Sequence, residues 1–507
     1  MATRGRDVPA GRTPYGATVE LAHLPTHRDT PPVIVVAYIL AQMALAAPGP
    51  VPADALLPPF TAIDHSRLGV PTAIENPPGE NALKAFYEAL VTTSQKLDDP
   101  ATKTREDQTR IVVYGASHVA GDMFTSLIRN ELKSRYGDAG LGFLVPANPW
   151  RDYYNRDANI SYSDGWQSTW FSQKDSREDG RYGLAGVSFE SNLKFAWAKV
   201  SSSKGGPYGK DVDHVEVWYW RSDRGGDFVV EIDNHLAKRI KTKPNAKKHE
   251  AEGLAVWSVD LKLGRHEVEI HPAGNGSVML FGIVMEKNGP GVVMDSLGIN
   301  GARATDHLDW DAGLFTAQLQ RRDPNLVVLA YGTNDIGDDE PPDEYGRKLD
   351  VVINRVRSAV PRASCLFIGP SDRPVKVEVS EDDYGRAVQS AGISADLVPQ
   401  LQRGKKRLLF QRRPRQQALI DVQRRVAWRY GCGYWNWAGA MGGDLSMLNW
   451  TNADEPLGSP DYVHLTKLGY ERIASIFWDA LMGPFDGGIP RPLTIFPTGP
   501  EIGPDPR

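Results

Sequence analysis

Ser117 stands shortly after an apolar run, Ile111-Val112-Val113-Tyr114, in the segment Tyr114-Gly115-Ala116-Ser117-His118-Val119-Ala120-Gly121-Asp122. Far downstream lie Gly332-Thr333-Asn334-Asp335 and Asp461-Tyr462-Val463-His464. A hydroxyl at the end of a buried strand, an amide that can donate two hydrogen bonds, and a carboxylate three residues before a histidine are the parts that nucleophilic acyl transfer needs. Serine alone is a poor nucleophile, so His464 would take its proton during attack on an ester carbonyl, and Asp461 would hold the imidazole tautomer and stabilise the imidazolium. Taken singly, Asp461 is also a plausible loop carboxylate, His464 a packed histidine and Asn334 a turn residue. The joint pattern favours catalysis.

These residues resemble the SGNH (GDSL-type) hydrolase superfamily, whose blocks contribute serine, glycine, asparagine and histidine in that chain order. Here they correspond to Ser117, to Gly301 in Leu297-Gly298-Ile299-Asn300-Gly301-Ala302, to Asn334, and to His464 with Asp461. Further segments look like the peptidoglycan O-acetylesterases and related polysaccharide O-acetyltransferases: Asp295-Ser296-Leu297, Ala330-Tyr331, Ile368-Gly369-Pro370-Ser371-Asp372 and Trp435-Asn436-Trp437-Ala438-Gly439-Ala440-Met441-Gly442-Gly443. The resemblance spans about Asn81 to Met482. It implies an oxyanion hole built from the backbone N–H groups of Ser117 and Gly301 and the side-chain amide of Asn334. It also implies an acetyl-serine intermediate on an acetylated polysaccharide, peptidoglycan among the candidates. One position departs from the family pattern, because Ala116 stands where an aspartate usually precedes the nucleophile. The same site would serve an O-acetyltransferase if an acceptor hydroxyl replaced water, and a non-catalytic glycan-binding protein could use the same scaffold.

Elements able to position these residues are visible around them. Strands fit Ile111 to Tyr114, Leu326 to Tyr331, Cys365 to Ile368 and Gly433 to Trp437, and amphipathic helices fit Asn81 to Gln95, Asp122 to Tyr136, Tyr345 to Ala359, Gln416 to Tyr430 and Thr466 to Leu481. Short apolar runs alternating with helices predict an α/β fold, a parallel sheet with helices on both faces. Ser117 and Asn334 then fall just past the carboxyl ends of their strands, where open α/β sheets bind ligands.

The stretch 149–286 breaks this rhythm. Val215, Val217 and Tyr219 alternate with Glu216, Trp218 and Trp220, and Phe228 to Ile232 and His266 to Ile270 repeat the period of two. An inserted antiparallel β-sandwich is predicted, jelly-roll-like and, by the resemblance, carbohydrate-binding-like, between hydrolase segments 61–148 and 287–490. Its aromatics include Tyr153, Tyr154, Trp166, Trp170, Trp197, Trp218, Trp220 and Trp257; Trp166, Trp170, Trp218 and Trp220 are taken as candidate sugar contacts, although a sandwich core also consumes aromatic residues.

The remaining features set limits. With 58 basic and 63 acidic residues in 507, nothing global points to nucleic acid. Cys365 and Cys432 are too few for a disulfide framework or a four-cysteine zinc site; Cys365 reads as a buried small hydrophobe, and whether the two pair is open. Neither Asp306, His307, Asp309 and Asp311 nor Asp335, Asp338, Asp339 and Glu340 have metal-ligand spacing, so both read as solvated loops and no metal or cofactor is expected. The basic run Arg403, Lys405, Lys406, Arg407, Arg412, Arg413 and Arg415 is a solvated face or an attractor for an anionic polymer. Within the leader 1–60, the apolar stretch Val33 to Ala47 resembles a secretory signal with a small-residue cleavage site, or else a weak membrane anchor, so a periplasmic or secreted location is expected. Segment 491–507 reads as a proline-rich tail.

Overall fold

In the computed structural model, the described residues are 63–390 and 407–487, apart from 98, 100–103, 152, 173, 175 and 203–204, together with Leu56, Asp99 and Leu493. The apolar leader segment, most of the tail, and Arg403, Lys405 and Lys406 lie outside them. Among the described residues no helix is long and apolar enough to cross a membrane.

Runs of β-branched and aliphatic residues build a five-stranded parallel sheet from β1 (Gln108–Gly115), β2 (Gly291–Gly298), β3 (Leu326–Ala330), β4 (Ser364–Ile368) and β5 (Gly433–Trp435), in the order β2-β1-β3-β4-β5. Alternation along β1 serves two cores. Ile111 and Val113 pack with Phe86, Phe124, Ile128 and Phe477 on one face. Val112 and Tyr114 pack with Phe315, Leu349 and Ile353 on the other. The helices on the first face are Lys84–Leu97, Met123–Tyr136 and Lys467–Met482; those on the second are Ala312–Arg322, Pro342–Ala359 and Arg415–Arg429.

Two antiparallel sheets form the inserted module. One has Ala158–Tyr162, Ala198–Ser202, Glu267–Pro272, Asp227–Ile232 and His235–Lys241 in spatial order. The other has Gly253–Gly264, Val212–Arg221, Val278–Glu286, Val187–Ser191 and Gln167–Trp170, with Gly140–Leu144 also pairing to Val278–Glu286. The module's sheet therefore begins ahead of residue 149; the glycines of Gly140-Leu141-Gly142 interrupt the side-chain pattern that marks a strand. Its aliphatic residues share one continuous core with the second face of the parallel sheet.

Buried ion pairs lock this junction. Arg129 donates from Nη1 and Nη2 to both oxygens of Asp122 at 2.9 and 2.8 Å and from Nε to Asp157 at 2.6 Å. Arg322, on the opposite side, bonds Asp295 of β2 and Glu286 at the end of the module. Removing one member of such a network leaves a buried charge uncompensated, at a cost of about 3–5 kcal/mol.

Cys365 in β4 and Cys432, just before β5, form a disulfide with Cα atoms 4.5 Å apart. Cys365 is buried as expected, Cys432 is buried too, and the pairing that the sequence left open is a crosslink between neighbouring strands.

Candidate active site

Register in the parallel sheet brings the candidate groups to one edge. Gly115 of β1 lies opposite Gly298 of β2 and Ala330 of β3, so Ser117, Gly301 and Asn334 all issue from adjacent strand ends. Ser117 opens the one-turn helix Ser117–Ala120, started by Ala116, whose carbonyl accepts from the N–H groups of Val119 at 3.0 Å and Ala120 at 2.9 Å. A Cβ on Gly298 would stand 2.1 Å from the Ala120 nitrogen, so glycine there lets this turn press against β2. Ala116 itself is buried, and the turn forms with alanine at this position.

His464 Nε2 lies 2.9 Å from Ser117 Oγ, and His464 Nδ1 lies 2.6 Å from Asp461 Oδ2. The other Asp461 oxygen accepts the backbone N–H groups of Val463 at 2.9 Å and His464 at 3.0 Å. Burial raises the Asp461 pKa, but hydrogen bonds from the His464 side chain and from these N–H groups outweigh it and hold the carboxyl at about 2. It is a carboxylate throughout the working range of a neutral histidine. The turn between them requires Tyr462 at φ 61°, and Thr466 then caps the following helix by accepting from Gly469 N–H at 3.2 Å. The side chains of His464 and Asp461 are 42% and 49% exposed, so the relay opens onto the surface and a large substrate can reach it.

Among the described residues, the backbone N–H groups of Ser117 and Gly301 have no partner. Gly301 has φ 78° and open space at its Cβ position, a conformation that disfavours a side chain and leaves the approach clear. Asn334 Nδ2 donates to the Ala302 carbonyl at 3.0 Å, which fixes the amide to the Gly301 loop and leaves its second N–H available. The triad and the oxyanion donors expected from the sequence thus come together at one strand-end cluster.

Sequence reasoning missed the layer beneath. His118 is buried, sharing hydrogen bonds with Tyr470 Oη at 2.9 Å and Ser371 Oγ at 3.2 Å. Ser371 Oγ in turn lies 3.0 Å from Thr333 Oγ1. Burial, with the nearby His464, lowers the His118 pKa to about 3, so His118 stays neutral and does not compete as a base. Its adjacency to Ser117 and the Ser371 motif were the available signals. Asp335, expected in a solvated loop, is buried; burial pushes its carboxyl up to about 7, and only Oδ1 has a partner, the Ala304 N–H at 3.3 Å. His307 is also buried, against Tyr331 Oη at 2.9 Å. Among the described residues no group of side chains is arranged to hold a metal ion.

The tryptophan candidates divide. Trp218 is 1% exposed, packs edge-on to Phe143 and donates to Glu216 at 2.7 Å, so it has no face for a sugar and its assignment as a contact is corrected. Trp166, Trp170 and Trp220 are half-buried: Trp166 donates to the Trp197 carbonyl, Trp170 packs against Trp150, and Trp220 lies beneath Arg181. Tyr154 is the more open aromatic, at 50% exposure, and its neighbour Arg156 donates its backbone N–H to Asp122, in the turn that follows the nucleophile helix.

Comparison with known proteins places the fold. Residues 273–472 match the model of the GDSL-like lipase/acylhydrolase family. That stretch holds Gly301, Asn334, Asp461 and His464, while Ser117 lies upstream across the inserted module. No curated protein matches the sequence. A solved peptidoglycan O-acetylesterase superposes with a TM-score of 0.59 at 22% identity, covering 80% of this chain and 98% of that one, and so shares its fold. A salicylyl-acyltransferase from a tetracycline biosynthetic pathway aligns over 66% of this chain and 96% of that one, at 14% identity and a TM-score of 0.27. A family two carbohydrate esterase from Clostridium thermocellum aligns over 65% and 100%, at 11% and 0.23. These last scores are too low to bear on the fold. Within the α/β part of this chain, residues 273–472 are thus similar to the GDSL-like lipase/acylhydrolase family, and the fold is that of the solved peptidoglycan O-acetylesterase.

Proposed function

We propose that the protein is a serine carbohydrate esterase that removes O-acetyl groups from a cell-wall or other polysaccharide. The observation that carries this reading is the unbroken relay from Ser117 Oγ through His464 to Asp461, placed beside the unpartnered N–H groups of Ser117 and Gly301. Ser117 Oγ attacks the acetyl carbonyl carbon as its proton passes to His464 Nε2. The charge that develops on the carbonyl oxygen meets the Ser117 and Gly301 N–H groups and the free N–H of Asn334; one such donor is worth about 3 kcal/mol in the transition state. Collapse breaks the ester C–O bond, and His464 returns the proton to the departing sugar oxygen. Water, deprotonated by His464, then attacks the acetyl carbonyl; the bond from that carbon to Ser117 Oγ breaks, His464 returns the proton to Oγ, and acetate leaves.

Surface placement of the triad suits a polymer, and the half-exposed Tyr154 beside the nucleophile turn is a candidate stacking platform. Export to the periplasm or beyond belongs to the same reading, supported by the apolar leader segment and by the buried disulfide, which persists in oxidising compartments. The decisive experiment is acetate release from O-acetylated peptidoglycan and acetylated xylan, with and without an added acceptor glycan. Release without acceptor supports hydrolysis; acetylated acceptor in its place would make the protein a transferase, and neither product would leave it a glycan-binding scaffold.

A further inference from the structure

Part of the basic run has a place beside the catalytic loop. After β4 the chain forms a hairpin, Val375–Val379 with Arg407–Gln411, and Phe410 packs on Tyr462 at 4.5 Å while Lys376 Nζ sits 5.2 Å over the same ring. At the base of this hairpin, Arg373 Nη1 donates to the carbonyl of Thr333, the residue before Asn334, at 3.0 Å. Arg413 Nε donates to the Arg373 carbonyl at 3.2 Å. A Cβ built on Gly337 would lie 3.8 Å from Nη1 of both arginines, so two guanidinium groups flank one spot on the turn that carries Asn334.

Neither guanidinium has a carboxylate within ion-pair distance among the described residues, whereas nearby Arg303 is paired with Asp338 and Arg407 with Glu381. Asp335, on the same turn, is buried, its carboxyl is pushed up to about 7, and it makes no ion pair with either guanidinium. Burial, and then the adjacent charge of Arg373, lower the Arg413 pKa and outweigh the opposing pull of Asp372, whose own oxygens are taken up by Gln416 and the Leu445 and Met447 N–H groups. Guanidinium forks match a carboxylate in geometry as well as charge.

We propose that Arg373 and Arg413 form a subsite for a carboxylate of the glycan, so that the preferred substrate is an O-acetylated polysaccharide bearing a carboxylate near the esterified sugar. The substrate assignment rests on the esterase reading above; the binding site does not.

The test compares chemically O-acetylated polygalacturonate with the same polymer after amidation of its carboxylates. The native enzyme should show kcat/KM about tenfold higher on the acid polymer, through KM, and less so in high salt. That ratio should collapse toward one in Arg413→Gln and survive in part in Arg413→Lys, with thermal unfolding confirming that both fold. Equal kcat/KM on the two polymers, or an undiminished ratio in Arg413→Gln, overturns the subsite. Binding of acid and amidated oligogalacturonates to Ser117→Ala, with and without Arg413→Gln, reads the same question without turnover. If neither polymer releases acetate, the esterase reading fails, and Arg413-dependent binding of the acid form still upholds the subsite while equal binding of both forms rejects it.

Discussion

Asp461 keeps its charge because four hydrogen-bonding and electrostatic contacts with His464 and Val463 outweigh burial, and this decides how each member of the relay should respond to replacement. Ser117→Ala and His464→Ala each break the proton path and should lower kcat on a small acetyl ester by about 10,000-fold or more with the fold intact. Asp461→Asn keeps an acceptor for the backbone N–H groups and should cost a smaller factor; full activity in folded Ser117→Ala would sink the mechanism. Asn334→Ala removes a donor that acts on developing charge, so kcat should fall about 100- to 1,000-fold with little change in KM. A change confined to KM would instead make Asn334 a binding residue. Asp335 gives a pH signature. Its folded pKa of about 7 lies above the value of about 3.9 in an unfolded chain, so between these limits the folded state holds the extra proton and stability falls as pH rises. Asp335→Asn should therefore gain on the native protein by roughly 4 kcal/mol between pH 4 and pH 8, read from unfolding curves; parallel pH profiles would exclude Asp335 as the cause. At this scale the triad was legible because Asp-x-x-His and the strand-end serine carry their own chemistry. The burial of Asp335 and His307 was not, because nothing in an acidic run shows which carboxylates a neighbouring helix will cover.

Four of the five strands of the parallel sheet and five of the six helices flanking it were legible within a few residues, from apolar core runs alternating with amphipathic helices; the helix Ala312–Arg322 was not. Gly433–Trp435 stopped short of the expected Trp437 because Asn436 caps a new helix, accepting from Gly439 N–H at 3.0 Å. β2 was not anticipated as a sheet member, although Val292, Val293 and Met294 are apolar, because it follows the module without an intervening helix. The hairpin carrying Phe410 was hidden by the charges around it. The disulfide could not be read from two cysteines distant in sequence, and its energetic role is now testable. It closes a loop spanning 67 positions, for which the chain-entropy account gives about 4 kcal/mol. A Cys365→Ala/Cys432→Ala double variant should lose about that much unfolding free energy in denaturant titration, while a loss near zero would place the stability in packing alone.

Across the whole molecule, the β-module and one face of the parallel sheet share a core, and the Arg129 and Arg322 networks close the seam, so the module is part of the enzyme's framework rather than a tethered bead. Deleting it would uncover that core, so whether it takes part in substrate capture must be read from single side chains. Tyr154 is the informative position. It is half exposed, and it precedes by two residues the backbone N–H that bonds Asp122 in the turn after the Ser117 helix, which makes its ring the one to test for sugar stacking. Tyr154→Ala should raise KM for an acetylated polysaccharide by about threefold to tenfold, the range expected for one aromatic contact, and affect a small soluble ester much less. Trp218→Phe provides the contrast. That ring is buried against Phe143, so its replacement should lower thermal stability while leaving the ratio of polymer to small-ester turnover where it was. Equal losses on both substrates in folded Tyr154→Ala would reduce the module to a structural support, and a shifted ratio in Trp218→Phe would mean that the module's core, rather than its surface, sets how polymer reaches Ser117.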